Sequence, residues 1–165
     1  MLAARYNDDV SSRTIVISIL LPLIAALTLA AAPAKLTPRQ ATNAIEKAGG
    51  KIETTAGNDV THTTVTFAKL TDDELKPLVP ALRALPHLYA LNLVSTEVGD
   101  KGVALLRPLT ELEVLHLYAT KVTDKCIPAL KAMPRLQTVV LSKTGVTAAG
   151  VRDLRQAKPL ITIIN

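Results

Sequence analysis

Leu88, Leu112, Leu136 and Leu160 stand 24 residues apart, and the residues around them recur at the same interval. Leu91, Leu115, Val139 and Ile163 keep the register three positions on, and Leu93, Leu117 and Leu141 keep it two further. Thr96, Thr120 and Thr144 follow, then Val98, Val122 and Val146, then Leu106, Leu130 and Leu154. With a period of this size, each unit buries its apolar face only against its neighbours. The chain is therefore predicted to be a solenoid, a stack of like coils, and not a domain closed around one centre.

Within a unit the pattern is L-x-x-L-x-L-x-x-T-x-V, followed by an apolar helical stretch. Alternate strand residues share a face, which turns Leu91 and Leu93 inward and Ala90, Asn92 and Val94 outward. The same parity exposes Val114, His116 and Tyr118, then Thr138, Val140 and Ser142, and in a degenerate first unit His62, Thr64 and Thr66. Helices are predicted over Val103–Leu109, Ile127–Met133 and Val151–Ala157. The expected fold class is α/β, a solenoid with a parallel sheet on its concave side and helices on its convex side, because stacked strands lie closer together than stacked helices.

The first unit is aligned at an offset of 28. Val60, Thr63 and Val65 are matched to Leu88, Leu91 and Leu93, and Leu70, Leu75 and Leu78 to Val98, Val103 and Leu106. The extra residues fall near Pro80-Ala81-Leu82-Arg83, where they lengthen the helix or its exit. Thr71 with Glu74 forms a capping box that starts this helix near Asp72. Residues 35–59 precede the repeats as an N-terminal cap. Thr37, Pro38 and Gln40 open its helix, Gly49-Gly50 ends it, and a strand over Lys51–Thr54 leads to a turn at Ala56-Gly57-Asn58-Asp59. The last repeat, from Leu160 to Asn165, supplies only a strand.

The unit resembles a leucine-rich repeat. The phrase Val122-Thr123-Asp124-Lys125-Cys126-Ile127-Pro128-Ala129-Leu130 is similar to the ribonuclease-inhibitor-like and cysteine-containing type, here in a short exported bacterial form. The resemblance covers residues 60–165, in about 3.5 to 4 units. It implies protein binding on the concave face and no catalysis. Where that family often has Asn or Cys this chain has Thr96, Thr120 and Thr144, whose hydroxyls are expected to form the equivalent hydrogen-bond ladder to loop backbone. The F-box carried by members that recruit ubiquitin-ligase substrates is not found in this sequence.

Residues 1–34 read as a leader. Arg5 and Arg13 precede the apolar run from Ile15 to Leu29, and Ala32-Pro33-Ala34 is the best small-residue cleavage site, leaving Lys35 first. The alternative is a retained membrane anchor over Ile15–Ala34, interrupted by Pro22. Either places the repeats outside the cytoplasm, secreted, periplasmic or tethered to the envelope. Net charge is +5, from 19 Lys and Arg against 14 Asp and Glu. The basic residues are dispersed along the sequence and lack interleaved aromatics, which argues against nucleic acid as a partner. The single Cys126 excludes an intramolecular disulfide framework.

No catalytic constellation is present. His62 and His116 fall two strands apart, about 10 Å, too far to share a metal directly, and His87 lies in a loop. Asp72, Asp73 and Glu74 suit a helix N-terminus, where negative charge is favoured. Cys126 takes the slot of Gly102 and Gly150 and reads as a small structural thiol. G-x-S-x-G and phosphate-binding glycine motifs are missing from the sequence. No cofactor or metal is expected. The candidate surface is the exposed sheet face of Thr64, Thr66, Asn92, Val94, Val114, His116, Tyr118, Thr138, Val140 and Ser142, with Tyr118, His116 and Asn92 at its centre. The expected function is non-enzymatic protein binding. Two alternatives are a structural or self-associating role through the edge strand Leu160–Ile164, as a homodimer, and a carbohydrate-binding or enzyme-associated role in the envelope.

Overall fold

The computed structural model describes residues 36–56 and 61–165. The leader or anchor predicted over residues 1–34, the turn at 57–59 and Val60 lie outside the described residues. Among those described, no helix is long and apolar enough to cross a membrane.

Among the described residues the protein is α/β, with one sheet of six strands and five α-helices. The order is α1 (Pro38–Lys47), β1 (Gly50–Ala56), β2 (Thr61–Phe67), α2 (Asp72–Ala84), β3 (Leu88–Asn92) and α3 (Asp100–Leu105). It continues with β4 (Val114–His116), a 3-10 turn (Asp124–Cys126), α4 (Ile127–Lys131), β5 (Thr138–Val140), α5 (Ala148–Ala157) and β6 (Thr162–Ile164). The strands lie side by side in chain order. The β1–β2 pair is antiparallel, and every later pair is parallel. Strand–helix–strand connections are right-handed in nearly all proteins, so a sheet laid down in one direction carries its helices on one face.

The register carries the 24-residue period into space. Leu91 pairs with Leu115, Leu115 with Val139, and Val139 with Ile163. Leu91, Leu115 and Val139 are fully buried and share one core with helix residues such as Val103, Leu106, Ile127, Leu130 and Leu154. α3 begins three residues before its predicted span and ends four earlier, α4 ends two earlier, and α5 begins three earlier and ends as predicted. At α5 the Thr147 cap sets the start, its hydroxyl accepting from the Gly150 N–H.

The first unit departs from its predicted alignment. Val65 pairs with Leu91, an offset of 26, and Thr63 pairs with Leu88. Thr63 is buried and donates its hydroxyl to the Pro86 carbonyl at 2.9 Å, which holds it at the strand entry and away from the Leu91 place. Phe67 then takes the position of Leu93. At Leu70 the offset is again 28, since the Glu97 N–H donates to the Leu70 carbonyl as Lys121 does to Val98. Two residues are thus missing between strand and helix, and four are added in α2, whose 13 residues compare with six in α3.

The segment before the repeats forms α1 and a full seven-residue strand, longer than Lys51–Thr54, antiparallel to β2. Thr37 and Gln40 make the predicted capping box. Gly49 ends α1 at φ +80, a conformation costly to other residues. Gly50 lets the strand start against the core, because a Cβ there would lie 2.6 Å from Ile45 Cγ2 and 2.7 Å from Phe67 Cε1.

One exposure expectation fails. Ala90 stands in the outward row between Thr64 and Val114, as predicted, yet it is buried. Leu160 keeps the sequence spacing of Leu88, Leu112 and Leu136 but is 97% exposed, while those three are buried. Each of the three is covered by a following coil. At the last strand Ile161 is the buried residue instead, and β6 is confined to Thr162–Ile164.

Candidate functional site

The sheet face opposite the helices is formed by residues of the second parity. One row runs Thr64, Ala90, Val114, Thr138 and Thr162, and the next runs Thr66, Asn92, His116, Val140 and Ile164. Val94, Tyr118 and Ser142 follow at the strand ends, where the Leu93 N–H donates to the His116 carbonyl and the Ser95 N–H to the Tyr118 carbonyl. All ten predicted face residues are partly exposed. β-Branched residues dominate because they fit a pleated, half-exposed surface. Asn92 turns its Oδ1 back to accept from the Val94 N–H at 3.1 Å, which stiffens the strand exit beside His116.

Two residues of this surface were not singled out from the sequence. Lys143 Nζ lies 5.2 Å from the Tyr118 ring centroid, a cation–π distance. The phenol oxygen beside it raises the Lys143 pKa above its ordinary value. Tyr89 packs on His62 with ring centroids 4.4 Å apart and planes tilted by 58°. The cause is an irregularity between Thr63 and Thr64, where β3 has one residue more than β2. That extra residue is Tyr89, and a bulge re-aims its side chain. Lys143 had a periodic signal: Ser95, Ala119 and Lys143 stand 24 apart, and all adopt positive φ, between 55 and 58. Neither ring is aligned with the other along a row.

The threonine hydroxyls bond to loop backbone, as expected. Thr96, Thr120 and Thr144 donate their hydroxyls to Leu93, Leu117 and Leu141 three residues earlier, at 2.8, 2.7 and 2.5 Å. They close the turn of their own coil and do not reach the next. The link between coils is made by aspartates instead. Asp72 accepts from the Gly99 N–H at 2.8 Å. Asp100 accepts from the Thr123 N–H and hydroxyl, both at 2.7 Å, and Asp124 from the Thr147 N–H and hydroxyl, at 2.8 and 2.7 Å. The Thr147 hydroxyl, then its N–H, holds the Asp124 carboxyl below the ordinary 3.8. The repeat contained this signal, since Asp100 follows Val98-Gly99 and Asp124 follows Val122-Thr123 one period later.

The same aspartates explain the small-residue slot. A Cβ at Gly102 would collide with Asp72 Oδ1 and lie 2.7 Å from Val98 Cγ1, and one at Gly150 would collide with Asp124 Oδ1. The close approach is to the carboxylate of the preceding coil and not to the sheet. Cys126 fills this slot in the one unit that opens as a 3-10 turn. Burial, then Asp100 and Asp124, push its thiol up to about 12, which keeps it protonated and poorly nucleophilic. Among the described residues no group of three or more His, Cys, Asp or Glu is placed to hold a metal ion. His62 and His116 stand on β2 and β4 with β3 between them, and His87 lies in the loop before β3 at φ 53.

No protein-family model matches this chain, and no curated protein matches it. The functional reading rests on the surface itself: a nearly neutral, partly apolar sheet face with Tyr118 at the strand ends, a cation over its ring, and Tyr89 packed on His62.

Proposed function

We propose that this chain is an exported, non-enzymatic leucine-rich repeat protein that binds a protein partner through the concave sheet face. Parallel pairing at 24-residue offsets supports the repeat reading. The carrying observation is that five parallel strands present rows of uncharged side chains on the side away from the core. Tyr118 lies among them, flanked by Val94, Ser142 and Lys143. A tyrosine in such a place offers ring area with little conformational entropy to lose and a hydroxyl that gives direction, as interface anchors do. Replacing Tyr118 and His116 together by Ala in the full chain is expected to weaken partner capture at least tenfold, about 1.4 kcal/mol. Capture unchanged in the folded double variant would remove this face from consideration.

A second reading is self-association through β6. Its motive is Leu160, 97% exposed, with Ile164 at 49%, beside a strand paired on one side only. Light scattering over a concentration series tests it: a dimer that Leu160→Glu dissociates supports this reading, and a monomer throughout discards it.

A further inference from the structure

The basic residues, scattered in sequence, are gathered by the coil geometry onto the helix layer. Each of four stacked helical segments contributes two exposed cations: Lys76 and Arg83 from α2, Lys101 and Arg107 from α3 and its exit. Lys125 and Arg135 flank α4, and Arg152 and Arg155 lie on α5. Their spacings, with exposed Pro80, Ala104, Pro128 and Ala132 between them, trace one outer stripe per helix. The ion pairs recorded among the described residues engage Lys121 and Lys131 instead. The carboxylates of this layer are largely spoken for. Asp72, Asp100 and Asp124 bind the next coil, Glu74 bonds back to Thr71, and Asp153 meets Lys131 at 2.7 Å. Exposed Asp73 remains at the start of α2, and exposed Glu111 follows the exit of α3 in a groove shared with Arg83.

Between α2 and α3 runs an open cleft of about 610 Å³, with Lys76 and Arg107 at its margins and Val79, Pro80, Leu105 and Pro108 among its lining residues. Cations bordering exposed aliphatic surface match an anionic bilayer interface, where headgroup charge and a shallow apolar contact act together. Single-stranded nucleic acid fits less well, because it is held by stacking on aromatics. Phe67 is in the core, and Tyr89 and Tyr118 belong to the sheet side. We infer that the helix layer is a docking surface for anionic lipid membranes, with Lys76 and Arg107 at its centre. This does not rely on the sheet-face reading, and it would leave that face free for a partner.

The test is partition of the full chain onto vesicles of pure phosphatidylcholine and of phosphatidylcholine with phosphatidylserine, measured by co-sedimentation at low and high salt. The comparison between vesicles isolates the electrostatic part from any contribution of the apolar run at 15–29, which acts on both. The expected result is at least a tenfold preference for the anionic vesicles, lost near 0.5 M salt as screening shortens to a few ångströms. At roughly fivefold for each basic residue near an anionic surface, Lys76→Glu with Arg107→Glu should reduce that preference by about 25-fold or more. Lys51→Glu with Lys143→Glu, off the helix layer, should cost much less. Equal partition onto both vesicles would overturn the proposal, as would a preference surviving high salt or an equal loss in both double variants. Tighter binding to a DNA oligonucleotide than to the anionic vesicles would overturn it in favour of nucleic acid. The substituted side chains are exposed, and an unchanged thermal midpoint checks their folding; the salt arm on the unaltered chain needs no variant.

Discussion

A single carboxylate shows how successive strand–helix units are joined. Asp72 reaches across to the Gly99 N–H, and the space it occupies is the space that a side chain at residue 102 would need. Glycine there is required by this neighbour and not by backbone conformation. Gly102→Ala should therefore cost about 1–3 kcal/mol, the usual penalty of overpacking, in urea unfolding. Asp72→Ala should also destabilise, since it leaves the Gly99 N–H without its partner. The double variant should cost clearly less than the two single ones together, because removing the carboxylate also removes the collision. Strict additivity in that cycle would show that the two residues do not compete. The recurrence of Gly102 and Gly150 is visible in the sequence, but the reason is not, since the obstructing atom belongs to a residue 30 or 26 positions earlier.

The helix start is the element on which this joining depends. The sequence pattern identified the threonine caps and capping boxes, and Thr37–Gln40 and Thr71–Glu74 both form. Asp72 stands at a helix N-terminus, as predicted, and also accepts from the Gly99 N–H of the following unit. At Asp124 that interaction has a pH signature. The folded carboxyl is held below its ordinary value by the Thr147 hydroxyl and N–H, so the unfolded chain takes up the proton first. The stabilisation is complete above the unfolded value, near pH 4, and fades as pH falls through the folded one. Unfolding midpoints measured between pH 6 and pH 3 should drop less in Asp124→Asn than in the unaltered chain. Parallel acid limbs would remove Asp124 from this role. The predicted threonine bonds to loop backbone form, each within its own turn, whereas the Asp100 and Asp124 carboxylates, with two acceptor oxygens each, span the gap to the next unit and take two donors.

At the scale of the whole sheet, the parallel pairing of β2 to β6 makes the core one continuous stripe. Leu115 is fully buried, with Leu91 on one side and Val139 on the other. Leu115→Asp should destabilise by more than about 3 kcal/mol by burying an unpaired charge, and a mild effect in thermal or denaturant unfolding would contradict the assigned sheet parity. The repeat spacing alone determined the class of fold, the strands β3 to β5, the inward leucines and the sheet face that carries Tyr118, because a fixed period repeats the same local geometry. It misplaced the first unit, where Thr63 binds Pro86 and Val65 pairs with Leu91 at an offset of 26, because a period describes only what recurs. The aspartate links, the Tyr89–His62 contact and the gathering of lysines and arginines onto one layer were decided by tertiary structure. Each depends on which side chains, distant in sequence, the stacking brings within a few ångströms, and that distance is set by register and helix phase together.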